Sequence, residues 1–535
     1  MRLDRRRRWL APAGALIAGA WLAEACVVPE FYIDEGLGGA ASGGDTSSGG
    51  GDGDGGETTE SGGTSSGDGG SSAGGSTSGG GTDSGGTGGG GPVCPPAVNL
   101  PSSFPDDWTS GTVVQLSYDA AWGWLSNERA VVDVASGKLL ASSNAYETGA
   151  TEVVIYNLSG GAKVAYVLGS PGQDDQNSAA LLVKGPGEYF AAWTGHEVDC
   201  NTYFSNFSDS TWSSGDTVNW STPGIAPQDC PWATEAAVDL HVNYNNVWEM
   251  SDESRYYDIV RAVGGSQTLL SSDDGGLTWS YAGQLTRPAS YYPFGYYSYW
   301  GDGQSRIDFI GTEAHPRDED TSLYHGYLEG GQVYDSHGVS QDTDATDDMA
   351  REATTFTQVF PAGMMLGGVA LGHLWNLDLV RYDDGTIAAV WQGRVDGTSG
   401  SSTDLRLAYS RFDGTSWTST YLGQAGPYLS DNEQDYTGGA ALDPDHPDTI
   451  YISTAVDPRD DTTILDHHEI WKGVTCDDGV SFEWTPITMS SMVDNLRPTV
   501  PKWDEDHTAL LWIRGLYTSP QDFGTELVAL ILGVE

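Results

Sequence analysis

The sequence predicts an all-β protein: a seven-bladed β-propeller preceded by a signal peptide and a disordered Gly/Ser linker. From residue 92 to residue 535 the chain consists of short runs rich in Val, Ile, Tyr, Trp and Leu, which Gly, Asp, Asn and Pro separate at short intervals. These runs show almost no 3.6-residue periodicity, so amphipathic helices are not expected. A turn of acidic residues and Gly followed by an apolar run that ends in Trp or Arg also recurs about every 55–65 residues, as blades would.

The recurring phrase is clearest at residues 185–193, 383–391 and 504–514. A radial ring of small sheets leaves only short sheet edges and needs no covering layer of helices. Seven blades would each take about 63 residues of this region. Counting alone leaves six or eight blades open.

Residues 1–25 have the pattern of a signal peptide. Five arginines between Arg2 and Arg8 precede an apolar stretch, and a basic segment followed by a short apolar one is typical of export. Cys26 follows a small residue and resembles the lipid-modified cysteine of bacterial lipoproteins, although Glu24 is unusual at such a site. We therefore expect lipidation of Cys26 and a place at the bacterial outer membrane or cell surface, with simple secretion as the alternative.

Residues 26–37 are assigned to the lipid-attachment region and residues 38–91 to a disordered linker. The linker is almost purely Gly, Ser, Thr and Asp, and it has too few apolar side chains to offset the entropy lost on ordering. Together with a lipid on Cys26, it would tether the propeller to a membrane surface. No apolar run of about 18 residues follows the signal peptide, so no mature transmembrane helix is expected.

The charge of the chain limits its partners. Its 535 residues include 24 Lys and Arg against 75 Asp and Glu, which gives a formal net charge of −51. Nucleic acid is not an expected partner, because phosphate recognition needs clustered Lys and Arg. We expect a monomer whose membrane contact is made through the lipid.

A turn motif lies at residues 272–279, Ser-Asp-Asp-Gly-Gly-Leu-Thr-Trp. It fits Ser-x-Asp-x-Gly-x-Thr-Trp, the Asp-box hairpin of sialidase-type propellers. Its Asp accepts hydrogen bonds from backbone N–H groups, its Gly takes a positive φ and its Trp packs between strands. Looser copies lie at 475–482 and 410–417. The motif is expected to stabilise a turn and to take no part in chemistry.

Four cysteines remain besides Cys26: Cys94, Cys200, Cys230 and Cys476. An even number in an exported protein suggests two disulfides. Of the three possible pairings we favour Cys200 with Cys230 and Cys94 with Cys476, because the second bridge would join the start of the domain to a late blade.

Nine short phrases carry a family resemblance, and they occur in order over nearly the whole of residues 92–535. They lie at 121–130, 174–177, 193–196, 312–325, 435–439, 451–454, 469–475, 494–498 and 512–517. Together they resemble the BNR-type seven-bladed propeller family that includes the ulvan lyases and related rhamnose-glucuronate-cleaving enzymes. The resemblance implies a polysaccharide lyase that cleaves an acidic polysaccharide by β-elimination at a uronic acid.

β-Elimination needs a cation that neutralises the uronate carboxylate, a base for the α-proton and an acid for the leaving oxygen. In the ulvan lyases two His, one Tyr and one Arg supply these groups, and the resemblance assigns them to His196, Tyr244 and Arg261 here. The remaining His is replaced by Gln176, which cannot exchange a proton near neutral pH. We therefore expect Gln176 to contact substrate, and cleavage to require that Tyr244 or His196 takes over as the base.

Two other functions stay open. The chain could be a non-catalytic glycan-binding surface lipoprotein, since Gln176 replaces an imidazole of the family. It could also be a glycoside hydrolase, either rhamnosidase-like or sialidase-like. A sialidase would be consistent with the Asp boxes, but no Arg-Ile-Pro-like phrase precedes them.

A possible metal site is formed by Glu313, His315 and His325. One carboxylate with two imidazoles suits Zn²⁺, and the resemblance implies a structural metal near this phrase. Asp-rich turns such as 457–461 could hold Ca²⁺. The reaction itself needs no cofactor.

Aromatic residues are concentrated between residues 290 and 300. Successive side chains of a strand point to opposite faces, so some of these rings are expected to pack between blades. Tyr296 and Tyr299 are the candidates for stacking on a sugar ring.

Overall fold

A computed structural model describes residues 100–196, 198–222, 242–289, 294–395, 404–430 and 434–533. These residues form seven antiparallel sheets of four or more strands, a seven-bladed β-propeller, which confirms the predicted fold and blade number. The helices described there are short 3₁₀ turns, at Asp175–Asn177, Ser251–Glu253, Val263–Gly265 and Ala353–Thr355. None of them is long and apolar enough to cross a membrane. The predicted signal peptide, lipid-attachment region with Cys26, and linker lie outside the described residues.

Each of the first three blades consists of four consecutive strands. Two strands precede them, β1 (Trp108–Thr109) and β2 (Val113–Ser117). The first blade contains β3 (Ala130–Asp133), β4 (Lys138–Ala145), β5 (Ala150–Asn157) and β6 (Lys163–Gly169). The second contains β7 (Ala180–Gly185), β8 (Glu188–Thr194), β9 (Asn201–Ser208) and β10 (Thr211–Asn219). The third contains β11 (Asn243–Met250), β12 (Arg255–Arg261), β13 (Gln267–Ser272) and β14 (Ser280–Thr286).

The next three blades differ in size. The fourth contains β15 (Tyr297–Gly301), β16 (Arg306–Gly311), β17 (Leu323–Glu329), β18 (Gln332–Asp335), β19 (Ser340–Asp342) and β20 (Thr357–Phe360). The fifth contains β21 (Met364–Leu366), β22 (Val369–Arg381), β23 (Ile387–Val395), β24 (Leu405–Phe412) and β25 (Trp417–Gly426). The sixth contains β26 (Ala440–Leu442), β27 (Thr449–Val456), β28 (Ile464–Val474) and β29 (Glu483–Pro486), and the short β30 (Thr488–Met489) pairs with β1.

The seventh blade closes the ring. It contains β31 (Asp494–Thr499), β32 (His507–Ser519) and β33 (Asp522–Gly533), and β2 from the start of the domain pairs with β33. Val113 lies opposite Leu530 in this ladder. The backbone hydrogen bonds of one antiparallel ladder therefore join the two ends of the domain.

The inner strands β3, β7, β11, β15, β22, β26 and β31 contact one another in turn around the axis. Neighbouring strands within each blade are antiparallel. As a result, the loop before each inner strand and the loop after the second strand of the same blade lie at the same end of the ring. We call this end the mouth.

The recurring phrase of the sequence corresponds to the turn after an inner strand and to the strand that follows it. Its tryptophans, Trp193, Trp391 and Trp512, lie in β8, β23 and β32 and are all buried. Trp391 Nε1 donates to Ser410 Oγ at 2.8 Å, and Trp512 Nε1 donates to Asn495 Oδ1 at 2.8 Å. The repeat therefore marks a buried strand in the same position of three blades.

The Asp-box turn has the predicted hydrogen bonds. Asp274, between β13 and β14, accepts from the backbone N–H and the hydroxyl of Thr278 at 2.9 and 2.6 Å, and Trp279 is buried. In the looser copies, Asp477 and Asp413 likewise accept from backbone N–H groups of their own turns. All three turns lie at the end of the ring away from the mouth, which agrees with a structural role.

The predicted disulfide between Cys200 and Cys230 is not formed. Cys200 is a free thiol that packs against the apolar cluster containing Phe190 and Trp220, and Cys230 lies outside the described residues. Cys476 is disulfide-bonded. Its predicted partner Cys94 also lies outside the described residues, so that pairing stays a prediction.

We predict that Asp274→Ala lowers the free energy of unfolding by about 1 kcal/mol, because its turn loses several hydrogen bonds. Asp273→Ala is the matched control: the neighbouring carboxylate is exposed and pairs with Arg255 at 2.6 Å, a surface contact that contributes about 0–1 kcal/mol. Urea unfolding of the two variants checks the difference. Equal destabilisation would show that the turn network adds nothing to the folded state.

Candidate functional site

Three inner strands carry a bulge near the mouth. The strand register shifts around Tyr244 in β11, His373 in β22 and Arg497 in β31. These residues have φ values of 64°, 51° and 53°, in the left-handed region that residues other than Gly rarely adopt. A bulge redirects the side chain of the extra residue, and each of the three side chains contacts loops of the mouth.

Tyr244 is held in its protonated form by Gln176. Gln176 lies in the 3₁₀ turn between the first two blades, and its Oε1 accepts hydrogen bonds from the hydroxyl of Tyr244 and from Asn243 Nδ2, the latter at 3.0 Å. Burial, and next the neighbouring Tyr296, raises the pKa of Tyr244 well above its usual value. A neutral phenol that already donates a hydrogen bond suits the role of an acid and not that of a base.

His196 forms a dyad with Asp174. Its Nδ1 lies 2.9 Å from Asp174 Oδ2, and its backbone N–H donates to Asn177 Oδ1 at 2.7 Å. The carboxylate accepts a hydrogen bond from Nδ1–H, which leaves the basic lone pair on Nε2. Nε2 has no hydrogen-bond partner in the described part of the chain. This is the arrangement in which a carboxylate orients an imidazole as a general base.

His196 and Tyr244 belong to one hydrogen-bonded network. Asp174 accepts from His196 and, at 2.9 Å, from the backbone N–H of Gln176, whose side chain accepts from Tyr244. Gln521, in the turn between β32 and β33, donates to Asp174 at 2.6 Å. The structure thus brings together two of the predicted catalytic residues and adds Asp174, which the sequence interpretation did not assign.

Arg261 ends β12 and is buried against aromatic rings. The guanidinium carbon lies 4.6 Å from the ring centre of Tyr244, 4.4 Å from that of Phe294 and 5.5 Å from that of Tyr296. Its side chain is only 5% exposed, and among the described residues it forms no ion pair and its Nη1 has no hydrogen-bond partner. Burial alone would lower the pKa of Arg261, but the neighbouring Tyr296 and Tyr244 outweigh it and raise the pKa. A buried, unpaired cation is costly unless an anion binds beside it.

Arg497 joins the seventh blade to the turn between the first two blades. Its Nη1 donates to Asp175 Oδ2 and to the carbonyl of Trp122, and all three residues are buried. Tyr517 donates to the same Asp175 oxygen at 2.7 Å. Unlike Arg261, this guanidinium has a carboxylate partner, so it braces the mouth, while its Nε and Nη2 have no hydrogen-bond partner among the described residues.

Tyr296 lies beside a buried histidine. Its hydroxyl is 3.3 Å from His315 Nε2, and its ring centre is 4.9 Å from those of His315 and Trp375. Burial first, and then the charge of Arg317, lowers the pKa of His315 to about 3. His315 is therefore neutral at physiological pH. Tyr296 itself is half-buried beside Tyr244, where a sugar ring could contact it.

Tyr299 does not line the mouth, and its predicted contact with a sugar is wrong. Its side chain is 1% exposed, lies in the hydrophobic core and donates to Gln267 Oε1 at 2.8 Å. Its position in β15 turns the ring to the packed side of the strand.

The predicted metal ligands have separate partners. Both carboxylate oxygens of Glu313 accept from the backbone N–H of Ser322, at 3.1 and 2.9 Å. His325 is buried, with Nδ1 2.9 Å from Ser336 Oγ and Nε2 3.2 Å from Asp308 Oδ1, whereas His315 contacts Tyr296. Within the described ranges no group of three His, Cys, Asp or Glu side chains could hold a metal ion. Glu313, His315 and His325 therefore do not form the predicted site.

No family model matches this sequence, and no curated protein matches it. Among solved structures, an ulvan lyase of polysaccharide lyase family PL25 bound to -[GlcA(1-4)Rha3S]- is similar, with 13% identity, a TM-score of 0.55 and coverage of 79% of this chain and 96% of that chain. A second PL25 ulvan lyase structure has 13% identity, a TM-score of 0.54 and the same coverage. At this identity the likeness shows the propeller fold alone.

We predict that Arg497→Met lowers the free energy of unfolding by about 3–5 kcal/mol, because it leaves Asp175 buried without its cation. Adding Asp175→Asn to this variant should recover part of the loss. The control is Arg514→Met, since the contact of Arg514 with Asp107 is partly exposed and contributes about 0–1 kcal/mol. Urea unfolding distinguishes them, and a loss no larger than the control's would contradict the bracing role of Arg497.

His315 and His446 should make the free energy of unfolding depend on pH in opposite directions. The folded pKa of His315 is lowered from 6.5 to about 3, so its contribution to stability is present above pH 6.5 and is lost as the pH falls towards 3. The hydrogen bond to Asp443 raises the pKa of His446 from 6.5 to about 9, so its contribution is present below pH 6.5 and is lost as the pH rises through about 9.

His315→Gln should therefore flatten the fall in the free energy of unfolding between about pH 6 and pH 4, where one titrating group contributes about 1.4 kcal/mol per pH unit. His446→Gln should leave that fall unchanged and flatten the one between about pH 7 and pH 9. Urea unfolding across this range measures both slopes. Parallel curves for wild type and His315→Gln in acid would mean that His315 is protonated in the folded protein.

Proposed function

We propose that this protein is a polysaccharide lyase that cleaves a uronic-acid polysaccharide of the rhamnose-glucuronate type by β-elimination. The observation that carries the proposal is Arg261: a buried guanidinium without an anionic partner in the described residues, beside a protonated phenol. A uronate carboxylate is the anion that this position suits, because a guanidinium can bind both of its oxygens.

The neighbouring groups supply the rest of the reaction. With the carboxylate neutralised by Arg261, the proton on C5 of the uronate becomes acidic, and Nε2 of His196 takes it. The electron pair left at C5 forms the double bond to C4 as the C4–O bond breaks. Tyr244 donates its proton to the leaving oxygen, and proton exchange with water returns His196 and Tyr244 to their starting forms. No cofactor enters these steps.

Gln176 has a defined place in this scheme. Its Oε1 accepts the Tyr244 hydrogen bond, so it keeps the phenol protonated and oriented until the leaving oxygen competes for the same proton. An amide cannot serve as the base itself, and the Asp174–His196 dyad takes that task. The same substitution favours a second candidate function, a propeller that binds the acidic polysaccharide without cleaving it.

The local charge of Arg261, and not the charge of the whole chain, supports an acidic substrate. The chain as a whole carries a formal charge of −51, which would repel a polyanion at a distance. At the mouth, however, Arg261 has no carboxylate partner among the described residues, whereas Arg497 and Arg394 are paired with Asp175 and Asp435. The similar ulvan lyase structure is bound to a glucuronate-rhamnose fragment, which makes such polymers the first substrates to test.

A lyase product absorbs ultraviolet light through its unsaturated uronate, whereas a hydrolase product does not. We predict such absorbance when the wild type acts on a glucuronate-rhamnose polysaccharide. Arg261→Ala, Tyr244→Phe and His196→Ala should each lower the initial rate about 100-fold or more. Tyr299→Phe is the matched control, since its hydroxyl is buried away from the mouth, and it should keep the wild-type rate.

Circular dichroism and thermal unfolding would verify that the variants are folded. Retained activity in both Arg261→Ala and Tyr244→Phe would discard the site. Tight binding of the polymer without any absorbance change would favour the non-catalytic alternative, and new reducing ends without absorbance would favour a hydrolase.

A further inference from the structure

The loop between β16 and β17 is hydrogen-bonded to the bulge at the start of β22. Asp320 Oδ1 accepts from the backbone N–H of His373 at 3.0 Å. One residue further along each segment, the Thr321 hydroxyl donates to the carbonyl of Leu374 at 3.0 Å. Gly372 leaves room for this carboxylate, because a Cβ there would lie 2.1 Å from Asp320 Oδ1. The backbone of His373 is therefore held by side chains of a neighbouring blade.

The same loop orients the imidazole of His373. Nδ1 lies 2.7 Å from the carbonyl oxygen of Pro316. A carbonyl can only accept, so Nδ1 carries a proton and the lone pair of the neutral ring lies on Nε2. Nε2 has no hydrogen-bond partner in the ranges that the structure describes, and the residue is half-buried. One ring nitrogen is thus fixed to the protein and the other is left for a ligand.

His373 is the third residue of a repeated arrangement. Tyr244, His373 and Arg497 all lie at bulges near the mouth ends of inner strands, and all have a left-handed backbone. The Tyr244 hydroxyl and Arg497 Nη1 have polar partners in the turn between the first two blades. Strained conformations of this kind persist where the surroundings over-determine them, and they cluster at functional sites. The backbone N–H and Nδ1 of His373 are likewise held by hydrogen bonds, but its Nε2 has no partner among the described residues.

The surroundings of His373 suit a neutral sugar hydroxyl. Arg394, opposite Gly372 in the β22–β23 ladder, lies 3.4 Å from the buried Asp435. Burial raises the pKa of Asp435, while Arg394 acts to lower it. Carboxylate and guanidinium groups largely balance each other here. A polar patch without a dominant charge recognises hydroxyl groups better than a second anion.

We propose that His373 is a specificity-determining residue whose Nε2 accepts a hydrogen bond from a hydroxyl of the sugar next to the cleaved linkage. It would contact this sugar from the fifth-blade side of the mouth, whereas Arg261 binds the uronate from the third. This inference rests on the proposed function, from which it takes the polysaccharide as the ligand. It adds a binding contact to the groups proposed for the chemistry.

The test uses the full chain and His373→Asn. Asparagine tolerates a left-handed backbone and keeps a donor near Pro316, but it lacks the outer ring nitrogen. Ser254→Asn is the matched control, because Ser254 has a φ of 52° in the turn after β11, at the end of the ring away from the mouth. Calorimetric titration with a glucuronate-rhamnose polysaccharide gives Kd, the absorbance assay gives KM and kcat, and thermal unfolding gives Tm.

His373→Asn should raise Kd and KM about fivefold or more, as expected for one lost hydrogen bond, with kcat and Tm close to wild type. Unchanged Kd and KM would overturn the inference, and so would a fall in Tm that accounts for the weaker binding. If the wild type binds the polymer without cleaving it and His373→Asn still binds more weakly, the lyase proposal fails and the role of His373 stands. If the wild type neither binds nor cleaves, both proposals are overturned.

Discussion

The closing ladder between β2 and β33 is the contact on which the mouth depends. It joins the start of the domain to its last strand, and the segment that follows β2 carries Trp122 into the site. Arg497 reaches the carbonyl of Trp122 and the carboxylate of Asp175 from the seventh blade. The turn that contains Asp175 also contains Gln176. The position of the Tyr244 phenol therefore depends on a ring that is closed by backbone hydrogen bonds.

The fold could be predicted because its signal is local and repeated. A turn followed by a buried strand ending in tryptophan recurs in several blades, and the burial of Trp193, Trp391 and Trp512 gives that repeat its physical reason. The Asp box was predictable for the same reason, since all its hydrogen bonds lie within one turn. Such features need no knowledge of how distant segments meet.

The site could be predicted only in part. Alternation along a strand separates Tyr296 from Tyr299, but the sequence does not say which of them faces the core, and the structure buries Tyr299. The bulge at His373 is produced by contacts with the preceding blade, so nothing in its own strand marks it. Similarly, the pairing of His196 with Asp174 depends on how the loop between the first two blades meets the loop between β8 and β9. These arrangements follow from tertiary contacts and not from local pattern.

The contacts of Asp174 have a further consequence for the order in which the mouth is assembled. Besides His196, it accepts a hydrogen bond from Gln521, and the carbonyl of Pro520 accepts from the backbone N–H of Asp175. Both partners lie in the last hairpin of the ring, more than three hundred residues further along the chain. The imidazole of His196 therefore acquires this setting only after the last hairpin has been synthesised and has packed against the turn between the first two blades.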